Sequence, residues 1–327
     1  MGTRILTRSD VASLLSAADC LAAVEAGFRA QGLGQAPPPG ALGHHVAGGA
    51  FHLKAASMVT DRPWFAAKVN GNFFGNPAAG LPRIQGALLL CDAGFGTPLA
   101  VMDSIEITIL RTAAATAVAA KYLSRDDAHT VTIAGCGLQG RAHVRALAGV
   151  REIRRFRLYD SEPSAAVRLA DELGDSVGAA LEPVTDLRAA VRDSDIVVTC
   201  TPSRTAIIGV EDIKPGTFVA GVGADSDEKQ ELDPQLLASG LVVTDSTVQC
   251  AAFGDLRYAI AAGLMTATDV HAELAAIVAG TAANPRDSGR TIIFDSTGTA
   301  IQDVASAAIV YARAVERGVG SVVNFAA

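Results

Sequence analysis

Apolar positions recur along this chain in two rhythms, and the change between them divides it. Over residues 7–31 they fall at helical spacing, with Leu21, Val24 and Phe28 on one stripe and Thr7 and Ser16 as candidate N-caps. Residues 32–50 break the rhythm with Pro37-Pro38-Pro39-Gly40 and Gly48-Gly49, which predicts loop and turn. Strand-like runs follow at 51–58, 64–70, 85–91 and 98–102 with only turns between them, the pattern of an antiparallel or mixed sheet. A long alanine-rich helix is predicted over 104–123. From 130 to about 295 the rhythm alternates. Strands are predicted at 130–134, 155–159, 195–199, 217–221, 241–244 and 291–294, separated by helical stretches, which suits a doubly wound parallel sheet. A last helix spans roughly 299–316. No linker stands out, so two closely packed domains are expected, with the cleft between them as the default ligand site.

The first strand of the alternating region ends in Gly135-x-Gly137-x-x-Gly140 and runs into a helix. In that context Gly135 permits the tight turn, Gly137 admits a pyrophosphate, and Gly140 lets helix and strand pack closely. Asp160 ends the next strand-like run, twenty residues past Gly140, where a carboxylate would accept hydrogen bonds from a ribose 2′-hydroxyl. The spacing therefore predicts dinucleotide binding. Asp160 is followed by Ser161 rather than by an arginine that would welcome a 2′-phosphate, so NAD is expected, with NADP as the alternative because Arg155 and Arg157 lie nearby. Thr201-Pro202-Ser203 follows the strand at 195–199 and is expected to shape a cofactor loop.

Composition narrows the class. The chain has 327 residues, half of them apolar, and a net charge of −7. It carries no basic run that would track a phosphate backbone, which argues against a nucleic-acid partner. No run of eighteen apolar residues is free of charge and no apolar leader opens the chain, so no membrane partner and a cytoplasmic location are expected. Five widely spaced cysteines, with no CxxC pair, read as buried free thiols in a reducing compartment. His44, His45 and His52 lack a carboxylate or cysteine to complete a ligand set, so no metal is expected.

Three charged residues stand out as candidates for chemistry. Lys68 is a lone cation in an apolar strand; facing a cleft it would have a lowered pKa suited to proton transfer, whereas facing outward it would be an ordinary surface lysine. Arg111 stands at the start of the alanine-rich helix, where the dipole disfavours a cation, so a ligand-binding role competes with a solvated one. Asp225 follows a predicted strand end, the side on which ligands sit in open α/β sheets, though a loop carboxylate or helix cap would look the same.

Together these segments resemble the ornithine cyclodeaminase/mu-crystallin family over nearly the whole chain. The resemblance is carried by the Lys68 strand, Gly80-Leu81-Pro82-Arg83-Ile84-Gln85-Gly86, Pro98-Leu99-Ala100-Val101-Met102-Asp103, Leu110-Arg111-Thr112-Ala113-Ala114, and the glycine motif through Gln139-Gly140-Arg141. Gly223-Ala224-Asp225, Lys229-Gln230-Glu231-Leu232, Asp295-Ser296-Thr297-Gly298 and Gln302-Asp303 complete it. It implies an α/β architecture: a Rossmann-like domain at 111–304 inserted in an N-terminal α+β domain at 1–110 plus 305–327, which binds substrate and forms a homodimer.

The resemblance also implies an oxidoreductase acting on the C–N bond of amino acids or cyclic imines, with Lys68 polarising substrate or water, Asp225 moving a proton and Arg111 binding a carboxylate. It adds Thr112, Leu138, Val222, Gly223, Ser296 and Gly298 to the cofactor contacts, and Gln85 to the substrate contacts. Two alternatives stay open: a cyclodeaminase-type lyase, and a non-catalytic binder of the mu-crystallin kind.

The chain departs from the family pattern in the early loop. Gly40 stands where an arginine commonly forms a second carboxylate anchor, a loss of roughly 1.5–3 kcal/mol for a charged hydrogen bond. Either Arg83 or Lys54 rebuilds that anchor from another side, or the substrate has no carboxylate there.

Overall fold

The computed structural model describes residues 2–174 and 176–325. They form two compact units, residues 1–111 with 299–327, and residues 112–298. The chain enters the first unit through strand β1 (Thr3–Leu6) and helices α1 (Arg8–Leu14) and α2 (Ala17–Gly32). The helical stretch expected as one is thus two. Thr7 caps the first by accepting the Asp10 N–H, and Ser16 starts the second by accepting the Asp19 N–H.

Strands β2 (Gly40–Val46), β3 (Gly49–Val59), β4 (Pro63–Phe73), β5 (Ile84–Asp92) and β6 (Pro98–Asp103) follow, then helix α3 (Ile105–Leu123), within which the first unit gives way to the second. The expectation of loop and turn over 32–50 is corrected here. Residues 40–46 pair with β3 at seven successive positions, yet every one of them is exposed. An edge strand with no buried face carries no alternation to reveal it.

In the second unit, strands β7 (Thr130–Ala134), β8 (Arg155–Tyr159), β9 (Ala180–Pro183) and β10 (Ile196–Thr199) alternate with helices α4 (Leu138–Ala148), α5 (Pro163–Leu173) and α6 (Leu187–Arg192). Beyond them lie β11 (Arg204–Ile208), β12 (Phe218–Gly221), β13 (Gln230–Leu232), α7 (Pro234–Ser239) and β14 (Leu241–Thr244). Helices α8 (Thr247–Phe253) and α9 (Leu256–Ala261), strand β15 (Ala272–Glu273), helix α10 (Leu274–Ala279) and strand β16 (Ile292–Asp295) complete the unit.

Eight strands make one parallel sheet in the order β15-β14-β16-β12-β10-β7-β8-β9. This is a doubly wound Rossmann-like sheet, two short edge strands larger than the six expected. The order reverses between β7 and β10, and that reversal is where ligands bind in such sheets. Its central strands are buried on both faces, which explains their near-continuous apolar runs.

The chain then returns to the first unit through α11 (Ala300–Arg317) and β17 (Ser321–Val323). The seven strands there run β17-β1-β6-β5-β4-β3-β2, a mixed sheet in which only β1 and β6 are parallel. Helix α11 packs on β3, β4 and α2. All five cysteines are free, and four of them are buried. No single helix among the described residues is long and apolar enough to cross a membrane.

Candidate functional site

Strand periodicity decides which side chains meet in the first unit. Directly paired residues share a face, and on β3, β4 and β5 the buried face carries Ala56, Ala66, Leu88 and Leu90. Lys68 belongs to that face and is 3% exposed. Lys54 lies directly opposite it on β3. Two ammonium groups side by side require an anion, and the start of α11 supplies one. The Lys68 Nζ is 2.8 Å from both oxygens of Asp303 and donates to Thr108 Oγ1 at 3.3 Å. Arg111 Nε is 3.3 Å from the same carboxylate, and its Nη1 donates to Gln302 Oε1 at 3.0 Å.

Arg111 is therefore not a solvated cation at a helix start, the alternative that its sequence position left open. It is the seventh residue of α3, buried, and enclosed by α11. Burial dominates the titration of this cluster. It pulls the Lys68 ammonium down to about 7; Asp303 opposes that, and the charges of Arg111 and Lys54 reinforce it. Burial pushes the Asp303 carboxyl up, but Lys68 and Arg111 outweigh it and hold the group below its ordinary value. The cluster holds three cations and one carboxylate, and the Gln302 Nε2 donor beside them is buried with no hydrogen-bond partner. Such a site suits an anionic ligand.

The remaining substrate candidates divide. Arg83 is half-buried just before β5; its Nε donates to Asn72 Oδ1 at 3.2 Å, and its guanidinium stacks 4.0 Å over the Phe74 ring. Asn72 is on the Lys68 face. Gln85 pairs with Gly71 and so projects from the opposite, outer face, away from Lys68. Gly40 pairs with Ala55 on that outer face too, whereas Ala41 pairs with Lys54. An arginine at position 40 would start out on the wrong side of the sheet from Lys68. His44 falls on the outer face and His45 and His52 on the inner one, so the three do not converge.

In the second unit, β7 ends in a tight turn at Gly135, whose φ is +106°, and α4 begins after Gly137. A Cβ on Gly140 would stand 2.2 Å from the Gly135 carbonyl oxygen, so only glycine allows this approach. A Cβ on Gly137 would meet nothing within 4 Å. The N-cap of α4 has no side chain, so the N–H groups of Leu138, Gln139 and Gly140 point outward uncapped. Gln139 Oε1 is buried with no hydrogen-bond partner. Asp160 closes the turn: one oxygen accepts the Cys136 N–H at 2.8 Å and the other the Glu162 N–H at 3.0 Å. Open space, uncapped N–H donors and a carboxylate at the next strand end fit a pyrophosphate and its ribose.

The flanking loops are held from beneath by carboxylates that sequence reasoning did not single out. Thr201 N–H and Oγ1 both donate to Glu231, as do Thr199 Oγ1 and Gly223 N–H. Thr201 thus has no donor left for a cofactor, and Ser203 N–H turns back to Thr201 Oγ1. Pro202 has no N–H to offer. Val222 N–H donates to the Thr199 carbonyl. Ser296 Oγ and Gly298 N–H donate to Asp245. Thr112 accepts through its carbonyl from Thr116 Oγ1. Asp225 stands four residues past β12, exposed, and accepts from Lys229 Nζ at 2.5 Å. Asp303 and Asp245 carry a faint sequence signal, each a charged residue at one end of a largely apolar element, whereas Glu231 sits in the middle of the short Gln-Glu-Leu strand and has none.

Residues 1–318 match the model of the ornithine cyclodeaminase/mu-crystallin family. The alanine dehydrogenase of Archaeoglobus fulgidus is 35% identical over 326 residues, 99% of each chain. The structure of an archaeal alanine dehydrogenase dimer with bound NAD matches with a TM-score of 0.94 at 36% identity, covering 99% of this chain and 100% of that one. The Δ1-pyrroline-2-carboxylate reductase of Thermococcus litoralis, solved with NADH and L-proline, matches at 0.91 and 32% identity, covering 98% and 99%.

Proposed function

The chain belongs to the ornithine cyclodeaminase/mu-crystallin family, and from that premise we propose that it is an NAD-dependent oxidoreductase acting on the C–N bond of carboxylate-bearing amino acids or imines. The observation that carries this is the cluster of Lys54, Lys68 and Arg111 around the single carboxylate of Asp303. Its excess of positive charge suits the carboxylate of an amino or imino acid. The same charge disfavours the second ammonium group that a diamine substrate of a cyclodeaminase would bring.

Gly135, Gly137, Gly140 and Asp160 would hold the dinucleotide, whose nicotinamide, when bound, gives or accepts a hydride. Arg111 binds the substrate carboxylate, assisted by Lys54 and Arg83. Lys68, poised at about 7, gives a proton to the substrate nitrogen in reduction or orients water in oxidation. Asp303 opposes the loss of that ammonium's charge in a buried setting. Asp225 exchanges the second proton with solvent from its exposed loop.

The test is NADH oxidation against a panel of cyclic imino acids and of 2-oxo acids with ammonia, and NAD reduction with L-alanine and L-proline. Turnover is expected with at least one carboxylated member. NADH binding without turnover of any member would identify a binding protein instead.

We also propose that the outer face of the first unit's sheet meets a second copy. Leu42, Leu53, Val69 and Ala87 form one apolar row across four strands, with Leu42 61% and Val69 41% exposed. Ala55, Ala67, Leu89 and Val101 form a second row. Exposed apolar rows of this extent favour burial against another surface. Sedimentation should show a dimer that Leu42→Asp with Val69→Lys converts to monomer; a monomeric wild type at micromolar concentration counts against it.

A further inference from the structure

Glu231 lies on β13 with its side chain fully buried. Its four hydrogen-bond acceptor positions are all filled. Oε1 accepts the Thr201 N–H at 2.6 Å and the Thr201 hydroxyl at 2.7 Å; Oε2 accepts the Gly223 N–H at 2.7 Å and the Thr199 hydroxyl at 2.8 Å. No cation is among these partners, so one buried charge is held entirely by dipoles from the ends of β10 and β12. Such an arrangement survives only if the dipoles are fixed in place.

Those dipoles belong to loops nested against the glycine turn. A Cβ on Gly135 would come within 2.8 Å of the Cys200 carbonyl oxygen and 3.2 Å of Thr201 Cγ2. A Cβ on Gly223 would come within 2.3 Å of the Thr201 carbonyl oxygen and 2.6 Å of the Glu231 carboxyl carbon. The loops after β7, β10 and β12 are therefore in contact at the point where the sheet order reverses, with Glu231 beneath two of them. Asp255 Oδ1 fixes Glu231 in turn, accepting the N–H groups of Glu231 and Leu232 at 2.9 and 3.1 Å.

We propose that Glu231 is a positioning residue that sets the spacing of the dinucleotide cradle without touching the dinucleotide. This rests on the cofactor reading of the glycine turn. An amide at 231 has one oxygen and one NH2 group. Whichever way it turns, the NH2 faces either the Thr201 or the Gly223 backbone N–H, and neither can reverse its role as donor. A threonine hydroxyl can rotate; a backbone N–H cannot. The unsatisfied N–H then moves its loop, and the loop moves the face presented at Gly135.

The experiment measures NADH affinity by fluorescence titration, kcat and imine KM at saturating NADH, and thermal unfolding, for wild type, Glu231→Gln and Thr199→Val. The valine is nearly isosteric and removes a single donor to Glu231. Glu231→Gln is expected to weaken NADH binding at least tenfold, with kcat and imine KM at saturating NADH within threefold of wild type. Thr199→Val is expected to weaken NADH binding at least threefold, which keeps the proposal open to test if the glutamine variant does not fold. A folded variant with a lowered melting temperature but NADH affinity within twofold of wild type would show a purely structural role and overturn the proposal. A loss confined to kcat would overturn it too. Failure of the wild type to bind NADH is a separate result, which removes the cofactor reading and this proposal with it.

Discussion

The Nζ of Lys68 lies 2.8 Å from both carboxylate oxygens of Asp303, a residue 235 positions further along the chain. This contact makes a buried lysine usable, because the carboxylate returns part of what desolvation takes from the ammonium.

Lys68 titrates at about 7, which lies inside the working range of an enzyme assay. If it donates the proton in imine reduction, kcat/KM in that direction should fall as pH rises through about 7. The oxidative direction should gain over the same interval. In Asp303→Asn the reductive limb should move to lower pH, because the attraction that holds the proton is gone. A reductive profile that stays flat from roughly pH 6 to 9 would remove Lys68 as the donor.

Asp303→Ala leaves Arg111 buried with no anion and Lys68 either unpaired or driven to lose its proton. Removal of one partner from such a pair costs about 3–5 kcal/mol, measurable as a shift in the urea midpoint. Lys68→Met in the same background should recover part of that loss. Lys68 also leaves a signature in the pH dependence of stability. The folded chain loses this proton near 7 and the unfolded chain near 10.5, so between those values the unfolded state binds one more proton. The Lys68 contribution to stability therefore rises with pH across that window, and Lys68→Met should remove that part of the slope.

Gly137 and Gly140 should respond oppositely to the same methyl group. Gly140→Ala puts a Cβ against the Gly135 carbonyl oxygen and should both destabilise the second unit and weaken NADH binding. Gly137→Ala meets no protein atom, so stability should stay within about 0.5 kcal/mol while NADH affinity drops. Unchanged affinity in Gly137→Ala would mean that the open space there is not used by a pyrophosphate.

Asp160 closes the turn at Cys136 through one of its oxygens, and as the proposed ribose partner its carboxylate would repel a 2′-phosphate. NADPH should bind at least tenfold more weakly than NADH, and Asp160→Ser should narrow the gap. Equal binding of the two by the wild type would contradict the assignment.

The glycine turn, its helix and Asp160 are legible in the amino-acid sequence, because a tight turn, a close helix approach and a strand end each impose a local residue choice. The strands from 130 to 295 are legible for a related reason: strands buried on both faces must be apolar throughout. The same logic hides residues 40–46, whose strand has no buried face at all. It also leaves Gln85 and Gly40 unplaced, since the face on which a strand residue lies depends on register with a neighbouring strand.

What the amino-acid sequence determined by itself was the alternation of elements, the caps at Thr7 and Ser16, and the dinucleotide turn, all of which follow from interactions within a few residues. What only the tertiary structure decided was the company of the charged groups. Lys68 could have been a surface lysine, and Arg111 a solvated arginine. Each became part of a buried cluster because α11 returns to lie on β3 and β4 and sets Asp303 between them. Glu231 likewise has meaning only beside Thr201 and Gly223. A charge is buried only where distant parts of the chain deliver its partners, and that delivery is a property of packing rather than of local pattern.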